Sequence, residues 1–274
     1  MKSEFLQSLV SSPTTRRDFA RRLGLTGVGV VGAGVLSSTI VGSLVESAQA
    51  QTSTITDVDI LNFALNLEYL EAEFYTAASD GTTIAGQGVI PSSAVEGPTT
   101  GVHRIPNVSS SPIAYILSAL KRDEQDHVRF LRGALGSAAV KKPTINLAAL
   151  GDPFANWTSF LRLARAFEDV GVSAYAGAAA LIQNKTYLDA AARILSAESQ
   201  HSGALRVTLI RFGMTVPAVD SKDVPPTPER PFFLDAMALA IPRSTSEVLR
   251  IVYGGGTTRG GFFPEGVNGR INAA

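Results

Sequence analysis

The chain has 274 residues, with 24 basic and 24 acidic side chains, three histidines and no cysteine, and it is 45% apolar and 18% charged. That composition can bury the core of one or two domains and excludes compositional disorder, while zero net charge removes the general electrostatic reason to bind nucleic acid. Without cysteine there are no disulfides, thiol nucleophiles, zinc fingers or cysteine-held clusters, so a transition-metal site has to be built from histidine and carboxylate.

Residues 1–50 read as an address. Arg16 and Arg17 stand ahead of Phe19, the 23 residues from Leu23 to Val45 carry no charge, and Ala48, Gln49 and Ala50 give a small-x-small cleavage pattern. The pattern predicts export by the twin-arginine route and residence in the periplasm or elsewhere outside the cytoplasm. The alternative is an uncleaved segment that anchors the chain, since its length spans a bilayer. Gly27, Gly29 and Gly32 match the spacing of a dinucleotide-binding loop, but basic residues precede them where that loop needs a strand. Processing after Ala50 leaves 19 basic and 21 acidic groups.

Four long helices follow. Thr56 and Asp59 form a capping box for the first, whose apolar residues recur at helical spacing to Ala78 before Asp80 and Gly81 stop it. Ser111 as N-cap and Pro112 at the first position open the second, which ends at Gly136. Asp152 and Pro153 open the third, which continues to about Asn184. Thr186 with Asp189 caps the fourth, which runs to Gly213. No segment of comparable length alternates with period two. The predicted class is therefore all-α, an antiparallel four-helix bundle over residues 51–213. A long loop from Asp80 to Ser111, read as a lid, joins the first two helices. An irregular extension over 214–274, with a short helix from about Ser244 to Tyr253, wraps the bundle or mediates a homo-oligomer.

Glu124 with His127, and Glu198 with His201, are Glu-x-x-His pairs on the second and fourth helices. Chance would give about 0.13 such pairs in a chain of this composition. The other two helices each offer a glutamate on an apolar stripe: Glu168 with Leu161, Ala164, Val172 and Tyr175, and Glu68 with Leu61, Leu65, Ala72 and Tyr75. Each glutamate precedes a tyrosine by seven residues, so the chain reads as a duplicated helical hairpin. All four glutamates fall near mid-helix and meet at the waist of an antiparallel bundle. Buried together, they cannot all stay ionised unaided. Two divalent cations balance four carboxylates, and oxygen with imidazole donors suits iron or manganese. Glu71 rivals Glu68, but the match to Glu168 and Tyr175 favours Glu68. Glu71 and Glu73 are then read as a solvated edge or as neighbours of the ligands. Tyr75 and Tyr175 either bond to ligands, pass electrons or simply pack. His103 is expected to be exposed, and Trp157 to anchor in the core.

Glu-x-x-His on two helices with single glutamates on the other two is the pattern of the ferritin-like di-iron and di-manganese carboxylate proteins, and the sequence resembles that superfamily. More narrowly, Leu61 to Tyr75 (LNFALNLEYLEAEFY), Arg122 to Leu135 (RDEQDHVRFLRGAL) and Phe262 to Ile271 (FFPEGVNGRI) resemble exported bacterial ferritin-like proteins related to plant desiccation-associated proteins. The likeness covers about residues 55–271. It implies Glu68, Glu124, His127, Glu168, Glu198 and His201 as ligands of two divalent ions, iron first and manganese as the alternative. Asp123 matches an acid that orients a facing histidine, while Ala197 stands where a second such acid belongs. The activity implied is redox chemistry on peroxide or dioxygen, of ferroxidase, peroxidase or catalase type. The competing reading is a non-enzymatic stress protein with a structural metal. Oxygenation of an organic substrate would need an apolar tunnel to the waist. The loop and the extension set the chain apart from cage-forming ferritins and from iron storage.

Overall fold

The computed structural model describes residues 54–274; the predicted export signal lies outside them. Helix α1, Asp57–Asp80, opens with the capping box read from the sequence and closes on Gly81 in the left-handed conformation at φ 69°. Helix α2 is Ala114–Leu135, α3 is Trp157–Ala179, α4 is Lys185–Arg211 and α5 is Thr245–Val252. The only sheet among the described residues pairs β1, Thr99–Thr100, in parallel with β2, Ile145–Asn146.

Three helix starts differ from the sequence reading. Ser111 does not cap α2, because its hydroxyl donates to the Val108 carbonyl at 2.6 Å within a short 3₁₀ turn. α2 begins after Ile113 with no side-chain cap. The cap of α3 is Asn156, which accepts from Thr158 N and Ser159 N, whereas Asp152 receives the Phe154 amide and pairs with His103 at 2.9 Å. The cap of α4 is Asn184, two residues before Thr186, and asparagine is the stronger N-cap. α3 also stops at Ala179, short of Asn184, because Asp57 at the head of α1 holds the amides of Gln183 and Asn184 at 3.0 and 2.7 Å. α5 opens with a capping box of Ser244 and Glu247, which the sequence reading did not single out.

α1 packs beside α2 and α3, and α4 completes the square against the same two helices. Neighbours run antiparallel. Lys121 meets Asp80 while Arg132 meets Tyr69, and Tyr75 meets Glu168 while Tyr175 meets Glu68. α2 and α3 therefore lie on a diagonal, and residues 136–156 cross the bundle to join them. Nearly every residue of α1 from Asp59 to Ala78 is buried. Its outer side is covered by the crossover, where Asn62 bonds to Ala138 O and Val140 N, and by the tail, where Asn66 and Asn268 exchange hydrogen bonds. That coverage explains an α1 sequence that is apolar almost all round. No helix among the described residues is long and apolar enough to cross a membrane.

Buried ion pairs fasten the two irregular segments. In the α1–α2 loop, Glu73 accepts from Ile84 N at 3.1 Å and from Thr99 Oγ1 at 2.9 Å. Lys142 donates to Gly97 O, Thr99 Oγ1 and Pro143 O at 2.9, 2.9 and 3.0 Å. Glu73 is thus no solvated edge; it is fully buried and pins the loop. The extension is held by three buried arginines. Arg165 binds Asp223 at 2.7 Å and Asp169 at 3.3 Å. Arg206 binds Asp169 at 2.6 Å and the carbonyls of Pro231 and Val224. Arg243 binds Asp220 at 2.6 Å and Ser173 Oγ at 2.8 Å. His103 is exposed, and Trp157 is half-buried against Phe212 rather than in the core.

Asp169 neutralises two buried arginines at once, and removing one partner of such a network leaves uncompensated charge. Asp169→Ala is expected to lower stability by about 3–5 kcal/mol, read as a fall in the urea midpoint. A change within error would show that Asp223 alone holds Arg165 and Arg206.

Candidate metal centre

The four helices bring Glu68, Glu124, Glu168 and Glu198 to the bundle waist, all with no exposed surface. His127 Nδ1 lies 3.2 Å from Glu68 Oε2, 3.1 Å from Glu124 Oε2 and 3.3 Å from Glu198 Oε1. His201 Nδ1 lies 2.9 Å from Glu124 Oε1 and 3.4 Å from Glu168 Oε2. The donors fall into two groups, Glu68, Glu124, His127 and Glu198, and then Glu124, Glu168, Glu198 and His201, with ligand atoms within 4.8 Å of one another in each. Glu124 and Glu198 belong to both.

Only His127 Nδ1 and Glu124 Oε2 among these atoms satisfy one another, in a hydrogen bond at 3.1 Å. Glu68 Oε2, Glu124 Oε1, Glu168 Oε2, both oxygens of Glu198 and His201 Nδ1 are buried with no hydrogen-bond partner. They crowd together without the alignment of hydrogen bonds, as donors aimed at shared points do. Buried native polar groups are otherwise almost always paired, so the arrangement is compatible with metal binding. The hard oxygens and imidazoles fit a divalent first-row ion.

Outer contacts fix the donors. Tyr75 on α1 donates to Glu168 Oε1 and Tyr175 on α3 donates to Glu68 Oε1, each at 2.5 Å. Burial, and then the charge of that glutamate, raise both phenols well above their ordinary range, so each remains a donor. Asp123 lies 3.4 Å from His201 Nε2, the nitrogen turned away from the cluster. Its counterpart on α4 is Ala197, so the two histidines have unlike surroundings.

The same two-fold correspondence pairs Glu71 with Gly171, and here the sequence reading missed a residue. A Cβ at Gly171 would stand 2.7 Å from Glu198 Oε2 and 3.3 Å from Glu71 Oε1. Glycine is what allows both carboxylates to approach α3, and its only signal in the sequence is that it stands opposite a glutamate in the duplicated pattern. Glu71 is buried beside the cluster but belongs to neither donor group.

The charge balance is strained. Burial pushes Glu198 and Glu71 well above the ordinary carboxylate range, and repulsion adds to it, chiefly from Glu124 on Glu198 and from Glu198 on Glu71. Burial also raises Glu124 to about 7, against the pull of His127 and His201. Glu68 is held low despite its burial, because His127 faces it. Burial by itself would lower both imidazoles, yet the facing carboxylates outweigh it and raise them, His201 to about 12.

A family model described as a ferritin-like domain matches residues 56–211. The desiccation-related protein PCC13-62 of Craterostigma plantagineum is 29% identical over 61% of this chain and 60% of its own length, so the chain spans under two thirds of that relative. The ferritin-like catalase Nec2 of Nesocodon mauritianus is 25% identical over 78% of this chain and 84% of its own.

Gly171→Ala is expected to displace Glu198 and lower divalent metal uptake by about tenfold with helical circular dichroism unchanged. Unaltered uptake would mean that Glu198 has room to move aside.

Proposed function

The chain belongs to the ferritin-like family, and from that premise we propose that it holds two divalent metal ions and carries out redox chemistry on peroxide or dioxygen. The observation that carries this reading is the set of unpartnered buried carboxylate oxygens that converge with two imidazoles in two groups sharing Glu124 and Glu198. Glu68 and His127 would hold one ion, Glu168 and His201 the other, and Glu124 with Glu198 both. Iron is the first candidate and manganese the second. Once bound, such ions would supply redox and Lewis-acid chemistry for peroxide or dioxygen.

The protein's own groups prepare that chemistry. Tyr75 and Tyr175 hold the terminal glutamates in place, and Asp123 orients His201 through Nε2. Glu71, whose ionisation is pushed up by burial and by the neighbouring carboxylates, lies beside Glu198 and Glu168. The name of the ferritin-like catalase supports turnover of peroxide. The name of the desiccation-related protein favours a second reading, in which the metal only fastens the helices of a stress protein. We propose further that the twin-arginine pattern in residues 1–50 directs the chain out of the cytoplasm.

Protein loaded separately with iron and with manganese is expected to consume peroxide or dioxygen. A strong rise in melting temperature with no turnover for either metal would establish the structural reading. His127→Ala is expected to lose most bound metal while keeping its helicity, and unchanged stoichiometry would remove His127 from the ligands.

Metal can bind only after the cluster gives up protons. Because Glu124 is raised to about 7 and His201 to about 12, the metal-free cluster is protonated at neutral pH. Uptake is therefore expected to release protons and to weaken as pH falls through 7. Calorimetry in buffers of different ionisation enthalpy reads the proton count, and a pH-independent affinity would contradict the assignment. Replacing Arg16 and Arg17 with lysine is expected to block export, checked by fractionation.

A further inference from the structure

A narrow crevice opens between α1, α3 and the start of α4, with Leu61, Ala64 and Leu67 on one side and Ala174, Tyr175 and Ala178 on the other. Its free volume is about 10 Å³, room for one molecule the size of water. All of its lining side chains are apolar except Tyr175, whose hydroxyl is already committed to Glu68. Leu61 and Ala64 stand on the same helical stripe as Glu68. Ala64 precedes it by one turn, about 6 Å along the axis at the rise of an α-helix. The crevice is thus lined in part by Tyr175, whose hydroxyl bonds to Glu68 of the candidate centre.

The α1–α2 loop does not govern this opening. Its contacts with the helices, Asp80 with Lys121 and Gln87 with Gln125, lie at the other end of α1, and Glu73 and Lys142 pin it there. Four alanines, Ala64, Ala174, Ala178 and Ala191, create the space; larger side chains at these positions would close it.

We propose that this crevice is a dioxygen site, the passage by which dioxygen reaches the metal centre as oxidant or leaves it as product. The passage rests on the dinuclear reading above. Its size and lining select the occupant. A trapped water needs two to four polar partners, and peroxide would leave its hydroxyl groups unpaired against hydrocarbon. Dioxygen is small and apolar and loses no hydrogen bond on entering.

The test begins with metal-free protein under raised dioxygen pressure, observed by methyl NMR. Paramagnetic relaxation is expected to concentrate on the methyl groups of Leu61, Ala64, Leu67 and Ala178, above that of Ile116 and Leu135, which are buried to a similar degree elsewhere in the bundle. Uniform relaxation would overturn the site without any variant being made. In iron(II)-loaded protein, Ala178→Leu is expected to slow consumption of dissolved dioxygen severalfold, with metal content and the rate with peroxide unchanged. An unchanged dioxygen rate, or an equal slowing with peroxide, overturns the passage. A wild-type chain that takes up no metal overturns the dinuclear reading and the passage with it, whereas relaxation confined to the crevice would still establish the gas site.

Discussion

Burying several carboxylates in one small volume is the constraint on which the rest of this structure depends. Glu68, Glu124, Glu168 and Glu198 have no solvent exposure, and several of their oxygens have no hydrogen-bond partner. In a low-dielectric interior each such charge is unfavourable by several kcal/mol unless countered. The two imidazoles answer part of this demand and sit at distances that suit a shared cation as well as one another. The tyrosine clamps, the missing Cβ at Gly171 and the acid behind His201 all serve to hold donors that repel one another.

The internal duplication shows the same economy away from the waist. Arg132 donates to Tyr69 on one side of the molecule, and Arg206 donates to Asp169 at the corresponding place on the other, both at 2.6 Å. Each arginine also reaches a connecting segment, Arg132 the crossover at Val140 and Arg206 the extension at Val224 and Pro231. Two copies of one hairpin have thus been adapted to grip two unrelated stretches of chain. Asymmetry enters where the copies diverge, at Glu71 against Gly171 and Asp123 against Ala197, and it makes the two halves of the centre inequivalent.

Rigid surroundings limit how the centre is reached. The α1–α2 loop has the length of a lid, yet a buried lysine, a buried glutamate and a two-residue parallel pairing hold it. Long loops in compact domains are commonly mobile because they lack such interior contacts. With that end closed by fixed structure, small side chains between α1 and α3 provide the other route, and Tyr175 belongs both to its wall and to the support of Glu68.

The sequence by itself determined much of what depends on neighbours along one helix. Glu124 with His127 and Glu198 with His201 share a face because three residues are nearly one turn, and the capping box at Thr56 is equally local. The sequence favours Glu68 over Glu71 because Glu168 and Tyr175 repeat its pattern, and Glu68, not Glu71, stands in a group of side chains that could hold an ion. Tertiary structure decided what depends on distant partners. The start of α4 at Asn184 is set with Asp57 across the bundle, Glu73 is buried by Lys142 and Thr99, and Asp223 faces Arg165 from 58 positions along the chain. Helical periodicity fixes the side of a helix on which a residue lies. Only packing selects which of 24 acidic groups meets which of 24 basic ones, because that pairing has no period along the chain.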